Sequence, residues 1–185
     1  MKGRLTRDNK LYPADLRDQD GLRRADLACS SGAMMNLGVD QFVSVLSTNI
    51  FGSYDGSVTA LRHFLPRRSG KLINILGAGS RGAVANQNAY GSTKAWIRVF
   101  SQALARETRD SGTGVYLLQP GLMETDLLTD VVTFESYEKR LRGFMPVLIR
   151  AAAHRPEVAA RKALWLASSA TDGRTGLEVR MGSPD

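Results

Sequence analysis

Apolar residues recur with a helical period in three stretches of this chain. The first stretch runs from Asp40, a candidate N-terminal cap, to about residue 65, where Pro66 stops it. The second spans about residues 88–110, and the third begins at Pro156 and ends near residue 167. Because an apolar stripe of this period covers a core, the pattern predicts three amphipathic helices that pack on the rest of the fold.

The same stripes predict which helical side chains are buried. The residues expected in the core are Phe42, Val43, Val45, Leu46, Ile50, Phe51, Ala60, Leu61 and Phe64 in the first helix, Trp96, Val99, Phe100, Ala103 and Leu104 in the second, and Val158, Leu164 and Trp165 in the third. Asn49 interrupts the first stripe in mid-helix, where asparagine has a poor helix propensity. It is either a plain exposed residue or a candidate for a special role.

Two short apolar runs have the length of strands. Residues 72–76 and 115–119 are mostly apolar instead of alternating. This profile is typical of strands that are covered on both faces, as in a parallel sheet. An alternating third strand is expected at residues 177–181. Strand, helix and strand joined by short links predict a parallel crossover, with a ligand site beyond the carboxyl ends of the strands.

A tyrosine and a lysine stand four residues apart at the start of the second predicted helix. Tyr90 and Lys94 would lie one above the other on a single helix face. A neighbouring ammonium group favours the phenolate, which lowers a tyrosine pKa from its ordinary value of about 10 toward the range used in acid-base catalysis. The structural alternative is that Tyr90 is amphipathic packing and Lys94 a solvated charge.

The loop after the first strand matches the dinucleotide fingerprint G-x-G-x-x-G at residues 77–82. That fingerprint needs a helix that opens within the glycines and an acidic residue about 20 positions later, after a second strand. Here residues 83–89 separate the glycines from the helix, and position 102 lies inside that helix. We therefore interpret the match as misleading and do not predict a phosphate cradle here.

Composition narrows the class of protein. The chain has 185 residues, of which 43% are hydrophobic, and this suits one globular domain. Its 25 Lys and Arg residues exceed 18 Asp and Glu residues, giving a net charge of +7, but no run of five like charges occurs. The charge therefore favours anionic partners in general and does not identify nucleic acid.

Cysteine and histidine usage and hydropathy add three expectations. Cys29 is the single cysteine, so a reducing cytoplasm is expected and no disulfide framework can form within the chain. His63 and His154 are too few and too isolated to predict a metal site. No apolar run approaches the ~18 residues of a membrane-spanning helix, so we expect a soluble protein that does not insert into a membrane.

Four landmarks together resemble the short-chain dehydrogenase/reductase family. The segment Tyr90-Gly91-Ser92-Thr93-Lys94 matches the family's Y-x-[AS]-[ST]-K, and Asn49 matches its helix asparagine. Residues 120–125 match its P-G-x-x-x-T segment, and Thr175-Gly176 precedes the last strand. The likeness covers about residues 39–181, the C-terminal two-thirds of such a protein. It implies an α/β fold with a doubly wound, Rossmann-like parallel sheet that lacks its first strand-helix units.

The resemblance also implies roles for individual residues. Tyr90 would protonate a carbonyl oxygen as hydride arrives, or remove the hydroxyl proton in the reverse direction. Lys94 would bond the nicotinamide ribose, and Asn49 would hold a water that links Lys94 to solvent. The cofactor-binding residues implied are Lys94, Pro120, Gly121, Met123 and Thr125. The implied cofactor is NAD or NADP, the substrate a small carbonyl or alcohol, and the assembly a homo-oligomer.

The resemblance implies a division of the chain into two parts, and the chain departs from the family pattern at two places. Residues 39–185 would form the catalytic part of one domain, with 126–150 as a substrate lid, and residues 1–38 carry no assignable pattern. The family places a serine about a dozen residues before the tyrosine, but Gly77 stands near that position and Ser80 is the nearest hydroxyl. Residues 1–38 also lack the family's T-G-x-x-x-G-x-G phosphate loop.

Three functions are compatible with these observations. The first is an NAD(P)-dependent oxidoreductase, as the four landmarks imply. The second is a non-catalytic relative that has lost the cofactor half and the serine, and serves as a binding or dimerisation module. The third, an anion or nucleic-acid binder, is suggested by charge alone, and no basic stripe interleaved with aromatic residues supports it.

Overall fold

Three parallel strands form the centre of the structure. The structure is a computed structural model, and it describes residues 38–124 and 153–181. In the described part of the chain the strands are β1 (Gly70–Ile75), β2 (Thr113–Gln119) and β3 (Glu178–Arg180), in the order β1-β2-β3. Gly70 pairs with Thr113 and Leu117 with Glu178, both in parallel register. The predicted parallel strands are thus confirmed.

Helices connect and cover these strands. They are α1 (Val39–Leu46), a π-helical turn (Ser47–Phe51), α2 (Gly52–Phe64), a 3-10 turn (Leu65–Arg67), α3 (Asn88–Glu107), α4 (Pro156–Ala167) and a second 3-10 turn (Ser169–Thr171). The first predicted helix is therefore one continuous rod, α1 to α2, with a π-helical turn in the middle. Within residues 38–124 and 153–181, none of the helices combines the length and the apolar character needed to cross a bilayer.

The central strand β2 is covered on both faces. Val115 packs with Leu61 of α2 and Ala105 of α3 on one face. On the other face Tyr116 and Leu118 pack with residues of α4 and with Val179. Six of the seven β2 residues are buried, which explains why their sequence is apolar without alternation. This two-sided cover is the doubly wound α/β arrangement that the sequence predicts.

The predicted buried faces of the helices were partly wrong. In α3 the buried residues at a spacing of four are Thr93, Ile97, Ser101 and Ala105, and all of them except Ile97 are small or polar. Small side chains let this helix approach the sheet closely, and of its predicted apolar stripe Trp96 and Leu104 pack against clusters that contain β2 residues. The predicted core residues that are exposed instead are Val43, Phe51, Val99, Ala103, Val158 and Leu164. Trp96 stacks on Phe100, with ring centroids 4.6 Å apart, beside the core.

Two predicted helix ends also moved. The first helix begins at Val39, and the side chain of Gln41 accepts a hydrogen bond of 3.1 Å from the N–H of Gly38. Asp40 is therefore inside the helix and is not its cap. Helix α3 ends at Glu107 instead of near residue 110, and the hydroxyl of Thr108 donates to the carbonyl of Leu104 over 2.8 Å.

Candidate active site

Tyr90 and Lys94 lie in the first turns of α3, beside the carboxyl end of β1. The Lys94 Nζ atom is 5.5 Å from the centroid of the Tyr90 ring. The same ammonium group donates a hydrogen bond of 3.3 Å to the carbonyl oxygen of Ile75, the last residue of β1. The structure thus brings together the two residues that the sequence paired, and the sheet fixes the position of the cation next to the phenol.

Gly77 and Gly79 bring the loop after β1 against the same helix turn. A Cβ atom at position 77 would overlap the Tyr90 hydroxyl and lie 3.3 Å from Cγ of Lys94. Gly79 has a φ of +87°, and a Cβ atom there would overlap the backbone of Gly91. Position 79 needs glycine because the loop lies against the backbone of α3, whereas at position 77 the close neighbour is the end of the Tyr90 side chain.

The glycine-rich match therefore has a packing explanation. Helix α3 opens at Asn88, well after Gly82, so the glycines do not lead into a helix N-terminus as a dinucleotide cradle requires. A Cβ atom at Gly82 would meet no atom within 4 Å. The first two glycines of the match, and not the third, are constrained by their surroundings. Their constraint is the contact with Tyr90 and Gly91.

Asn49 lies at the centre of the π-helical turn between α1 and α2. This turn packs against α3, the helix that carries Tyr90 and Lys94. A π-helical turn widens the helix and changes the direction of backbone carbonyls, and such turns are frequent at functional sites. The structure therefore places Asn49 at a local distortion of the helix.

Ser80 is buried next to the end of β2. Ser80 is 7% exposed, and its hydroxyl donates a hydrogen bond of 3.3 Å to the side-chain oxygen of Gln119. Its N–H donates to the carbonyl of Gly77 over 3.2 Å, which closes a turn. The hydroxyl nearest to the position of the family's serine is thus engaged with Gln119.

The segment after β2 passes the same edge of the sheet. Gly121 has a φ of +76°, and a Cβ atom there would lie 3.1 Å from Nε2 of His154. Met123 and His154 form an isolated parallel bridge, in which the N–H of His154 donates to the carbonyl of Leu122 over 3.0 Å. The predicted cofactor residues Pro120, Gly121 and Met123 are therefore held beside the returning chain. Thr125 and the predicted lid, 126–150, lie outside the described residues.

Two polar atoms near these segments were missed in the sequence. His154 Nε2 and Gln87 Oε1 are buried and have no hydrogen-bond partner within residues 38–124 and 153–181. Gln87 precedes the first turn of α3, three residues before Tyr90, and His154 contacts Gly121. No period or motif signals either residue, because both stand in irregular segments of the sequence.

The carboxylate of Glu178 in β3 forms ion pairs with the loop after β1 and with α3. Glu178 accepts 2.6 Å and 2.8 Å hydrogen bonds from the Nε atoms of Arg81 and Arg98, and its side chain is only 10% exposed. Burial by itself raises the pKa of Glu178, but the hydrogen bonds and charges of both arginines outweigh burial and hold that pKa below its ordinary value of 4.5. The sequence marked Glu178 only as a polar position of an alternating strand.

Comparisons with known proteins identify the family of this chain. A family model described as enoyl-(acyl carrier protein) reductase matches residues 23–181. The chain belongs to the short-chain dehydrogenase/reductase family. The match begins earlier than the sequence landmarks, so part of the N-terminal segment that showed no assignable pattern also carries the family likeness.

Individual relatives define the extent of the likeness. The chain is 34% identical over 135 residues to the 3-oxoacyl-[acyl-carrier-protein] reductase FabG of Chlamydia pneumoniae, covering 73% of this chain and 52% of that protein. The crystal structure of a 3-ketoacyl-(acyl-carrier-protein) reductase from Brucella melitensis with NADH is 22% identical, with a TM-score of 0.66 over 83% of this chain and 62% of that chain. This short-chain dehydrogenase/reductase chain thus spans about half the length of the curated relatives it matches.

A second solved structure supports the fold. The gluconate 5-dehydrogenase from Burkholderia cenocepacia, in complex with NADP and tartrate, is 23% identical, with a TM-score of 0.67 over 82% of this chain and 58% of that chain. At this level of identity the likeness concerns the fold. The Rossmann-like α/β fold inferred from the sequence is therefore confirmed, and the parallel sheet with helices on both faces agrees with it.

Proposed function

We propose that this chain is the catalytic part of an NAD(P)-dependent oxidoreductase that acts on a small carbonyl or alcohol substrate. One observation carries the proposal: the Lys94 ammonium is anchored on Ile75 and faces the Tyr90 ring at 5.5 Å, at the carboxyl edge of a parallel sheet. Ligands of such sheets bind at that edge. A phenol fixed beside a cation is suited to giving and taking a proton.

Each site residue has a role in this proposal. The nicotinamide cofactor, when bound, supplies or accepts the hydride. Tyr90 donates its hydroxyl proton to the carbonyl oxygen, or takes the alcohol proton in the reverse direction. Lys94 favours the phenolate and bonds the cofactor ribose, and Asn49, in its π-helical turn, holds a water that returns protons to Lys94.

The cofactor would lie along the segment after β2. A lysine ammonium suits the hydroxyl oxygens of a ribose, and the backbone of Pro120, Gly121 and Met123 offers amide and carbonyl groups to the nicotinamide carboxamide. Thr125 would add a hydroxyl, and residues 126–150 would close over the substrate. Residues 39–185 would form one catalytic unit, and Gln87 is a further candidate for contact with the substrate.

A non-catalytic binding module is the second candidate, and two observations favour it. Gly77 stands near the position of the family's serine and leaves no room for a side chain beside Tyr90. The nearest hydroxyl, that of Ser80, is bonded to Gln119. Loss of one oxyanion donor costs an enzyme about 100-fold or more in rate. A chain with these features could bind a cofactor or a partner with little turnover.

We further infer that the protein forms a homo-oligomer in the cytoplasm. Val43 and Phe51 on the first rod are 53% and 61% exposed, and Val99 on the neighbouring α3 is 64% exposed. Exposed apolar side chains on paired helices are typical of surfaces that a second copy covers. The single Cys29 favours a reducing compartment.

A fluorescence titration with NADH and NADPH tests the proposed function. We expect saturable binding to the parent chain and weaker binding to Lys94→Met, because that variant keeps the aliphatic stem and loses the ammonium. Arg106→Met is the matched control, since it removes an exposed cation from the same helix away from Tyr90. An absence of saturable change at millimolar cofactor would contradict the oxidoreductase proposal for this chain.

A further inference from the structure

A second concave site lies at the opposite edge of the sheet from Tyr90. It is a cavity of about 290 Å³ beside the amino ends of β1 and β2. Strand β1 has six residues, so at about 3.3 Å each the two edges are about 20 Å apart. A ligand here would occupy a site separate from the proposed cofactor position.

The cavity is strongly basic. Its lining includes four cationic side chains, those of Arg68, Lys71, Arg109 and Arg174, and a single carboxylate, that of Asp172. Lys71 pairs with Asp172 at 2.7 Å, so these two charges offset each other. Three guanidinium groups are left without a carboxylate among the lining residues.

The three arginines have donors to spare. Arg68 donates to the backbone carbonyl of Asp110 over 3.1 Å, which uses one of its five N–H groups. Arg174 lies 6.0 Å from the centroid of the Trp165 ring, a contact that leaves its N–H groups available. In the described part of the chain, Arg109 makes no hydrogen bond or ion pair through its side chain.

A buried hydroxyl in the lining provides an independent observation. Thr113 is only 3% exposed, and its Oγ1 atom is buried without a hydrogen-bond partner in the described residues. An unpaired buried hydroxyl costs free energy, and most buried polar groups in native proteins are paired. The Thr113 N–H is already satisfied by the Ser111 hydroxyl at 3.1 Å, so only the threonine hydroxyl lacks a partner. Thr113 lines the cavity, but its Oγ1 atom is closed to solvent, so a ligand oxygen supplies the missing acceptor only once a neighbouring side chain has moved aside.

We propose that this cavity binds a small phosphate-type anion, either free phosphate or diphosphate or the phosphoryl group of a small metabolite. Guanidinium groups bind tetrahedral oxyanions through paired N–H donors, and the Thr113 hydroxyl adds one uncharged donor. The cavity volume lies at the lower limit of small-ligand pockets, which favours a phosphorylated small molecule over a dinucleotide. Nothing in the proposed hydride transfer requires this site, so its occupancy is a separate property of the chain.

Calorimetric titration of the full chain at constant ionic strength tests the proposal. The probes are inorganic phosphate, pyrophosphate and glycerol 3-phosphate, with sodium chloride as the ionic control. Saturable binding of pyrophosphate is expected, and comparison with glycerol 3-phosphate distinguishes a free anion from a phosphorylated metabolite. We expect Thr113→Val and Arg109→Gln each to weaken binding about tenfold, since each removes one hydrogen bond to a charged group.

Two further measurements make the test specific. Arg106→Gln removes an exposed cation near Arg109 that does not line the cavity, and it should bind pyrophosphate like the parent chain. Thr113→Val should unfold in urea at the same or a higher concentration than the parent, because it removes an unpaired buried hydroxyl. Equal affinity in the parent, Thr113→Val and Arg109→Gln, or no saturable binding at millimolar pyrophosphate, would overturn the proposal.

Discussion

Gly77 lies directly against the phenol of Tyr90, so closely that no side chain fits between the loop after β1 and the ring. Lys94 contacts the same glycine from the next turn of α3, with Cγ 3.3 Å from where a Cβ atom would stand. The position of the proposed acid-base residue thus depends on the absence of a side chain thirteen residues earlier in the sequence.

Gly77→Ala should reduce turnover much more than stability. The added methyl group meets the far end of the Tyr90 side chain, which can move aside without unfolding the protein. Displacement of a catalytic group by about 1 Å can cost about 100-fold in rate, so we expect a loss of that order. Steady-state turnover, with urea unfolding as the stability measurement, checks this. Gly82→Ala in the same loop is the control, and an equal loss of turnover in both variants would contradict the contact.

Gly79→Ala should destabilise the fold. A left-handed backbone conformation costs a residue with a Cβ atom about 1–2 kcal/mol, and overlap with the Gly91 backbone adds about 1–3 kcal/mol. We therefore expect the free energy of unfolding to fall by about 2–5 kcal/mol in a urea titration. Gly82→Ala should change it by less than about 0.5 kcal/mol. If Gly79→Ala is as stable as the parent, the loop does not pack on α3 as described.

Glu178→Gln should destabilise the protein at neutral pH by about 1–2 kcal/mol, since the carboxylate of Glu178 accepts hydrogen bonds from both Arg81 and Arg98. Because the folded pKa of Glu178 lies below 4.5, its charge stabilises the fold fully above that pH and loses its effect as the pH falls through the folded pKa. Urea unfolding at pH 7 and below pH 4.5 should therefore show a difference between parent and variant that shrinks in acid.

Glu107→Gln, at the exposed end of α3, is the control for this comparison and should match the parent at both pH values. A difference between parent and Glu178→Gln that is the same at pH 7 and in acid would rule out the ionised carboxylate as its source.

Val99→Glu should dissociate the proposed homo-oligomer. A charge on this exposed apolar position, 64% accessible in the single chain, would have to be buried without a partner in the interface. Light scattering after gel filtration should give a single-chain mass for Val99→Glu and a multiple of it for the parent and Val99→Ile. A parent chain that is already monomeric at micromolar concentration would remove the proposal of self-association.

The sequence predicted the elements of this fold better than their packing. Strand β2 was predictable from the sequence because six of its seven residues are buried, and its residues are therefore mostly apolar without alternation. Helix α3 was predictable as a helix, but its buried face was not. Thr93, Ser101 and Ala105 on that face are small or polar residues that permit close approach to the sheet. Apolar character alone predicted Val99 in the core, but its side chain is exposed.

The candidate site was predictable where spacing along one element determines it. Tyr90 and Lys94 share a helix face, so four residues of separation suffice to pair them. The contacts that bring Gly77 to Tyr90, His154 to Gly121 and Glu178 to two arginines join segments distant in the chain, and no local pattern encodes them. The glycine-rich loop illustrates this difference. Its sequence matches a dinucleotide fingerprint, but in the structure its first two glycines allow the loop to pack against α3.

Turnover by Tyr90→Phe tests the proposed role of Tyr90 directly. The ring would stay against Gly77 and Lys94, and only the proton carrier would be lost. With NADPH and a panel of 3-oxoacyl thioesters and simple ketones, we expect cofactor affinity within about twofold of the parent and turnover lower by about 100-fold or more. Turnover equal to that of the parent chain would contradict the assignment of Tyr90 as the acid-base residue.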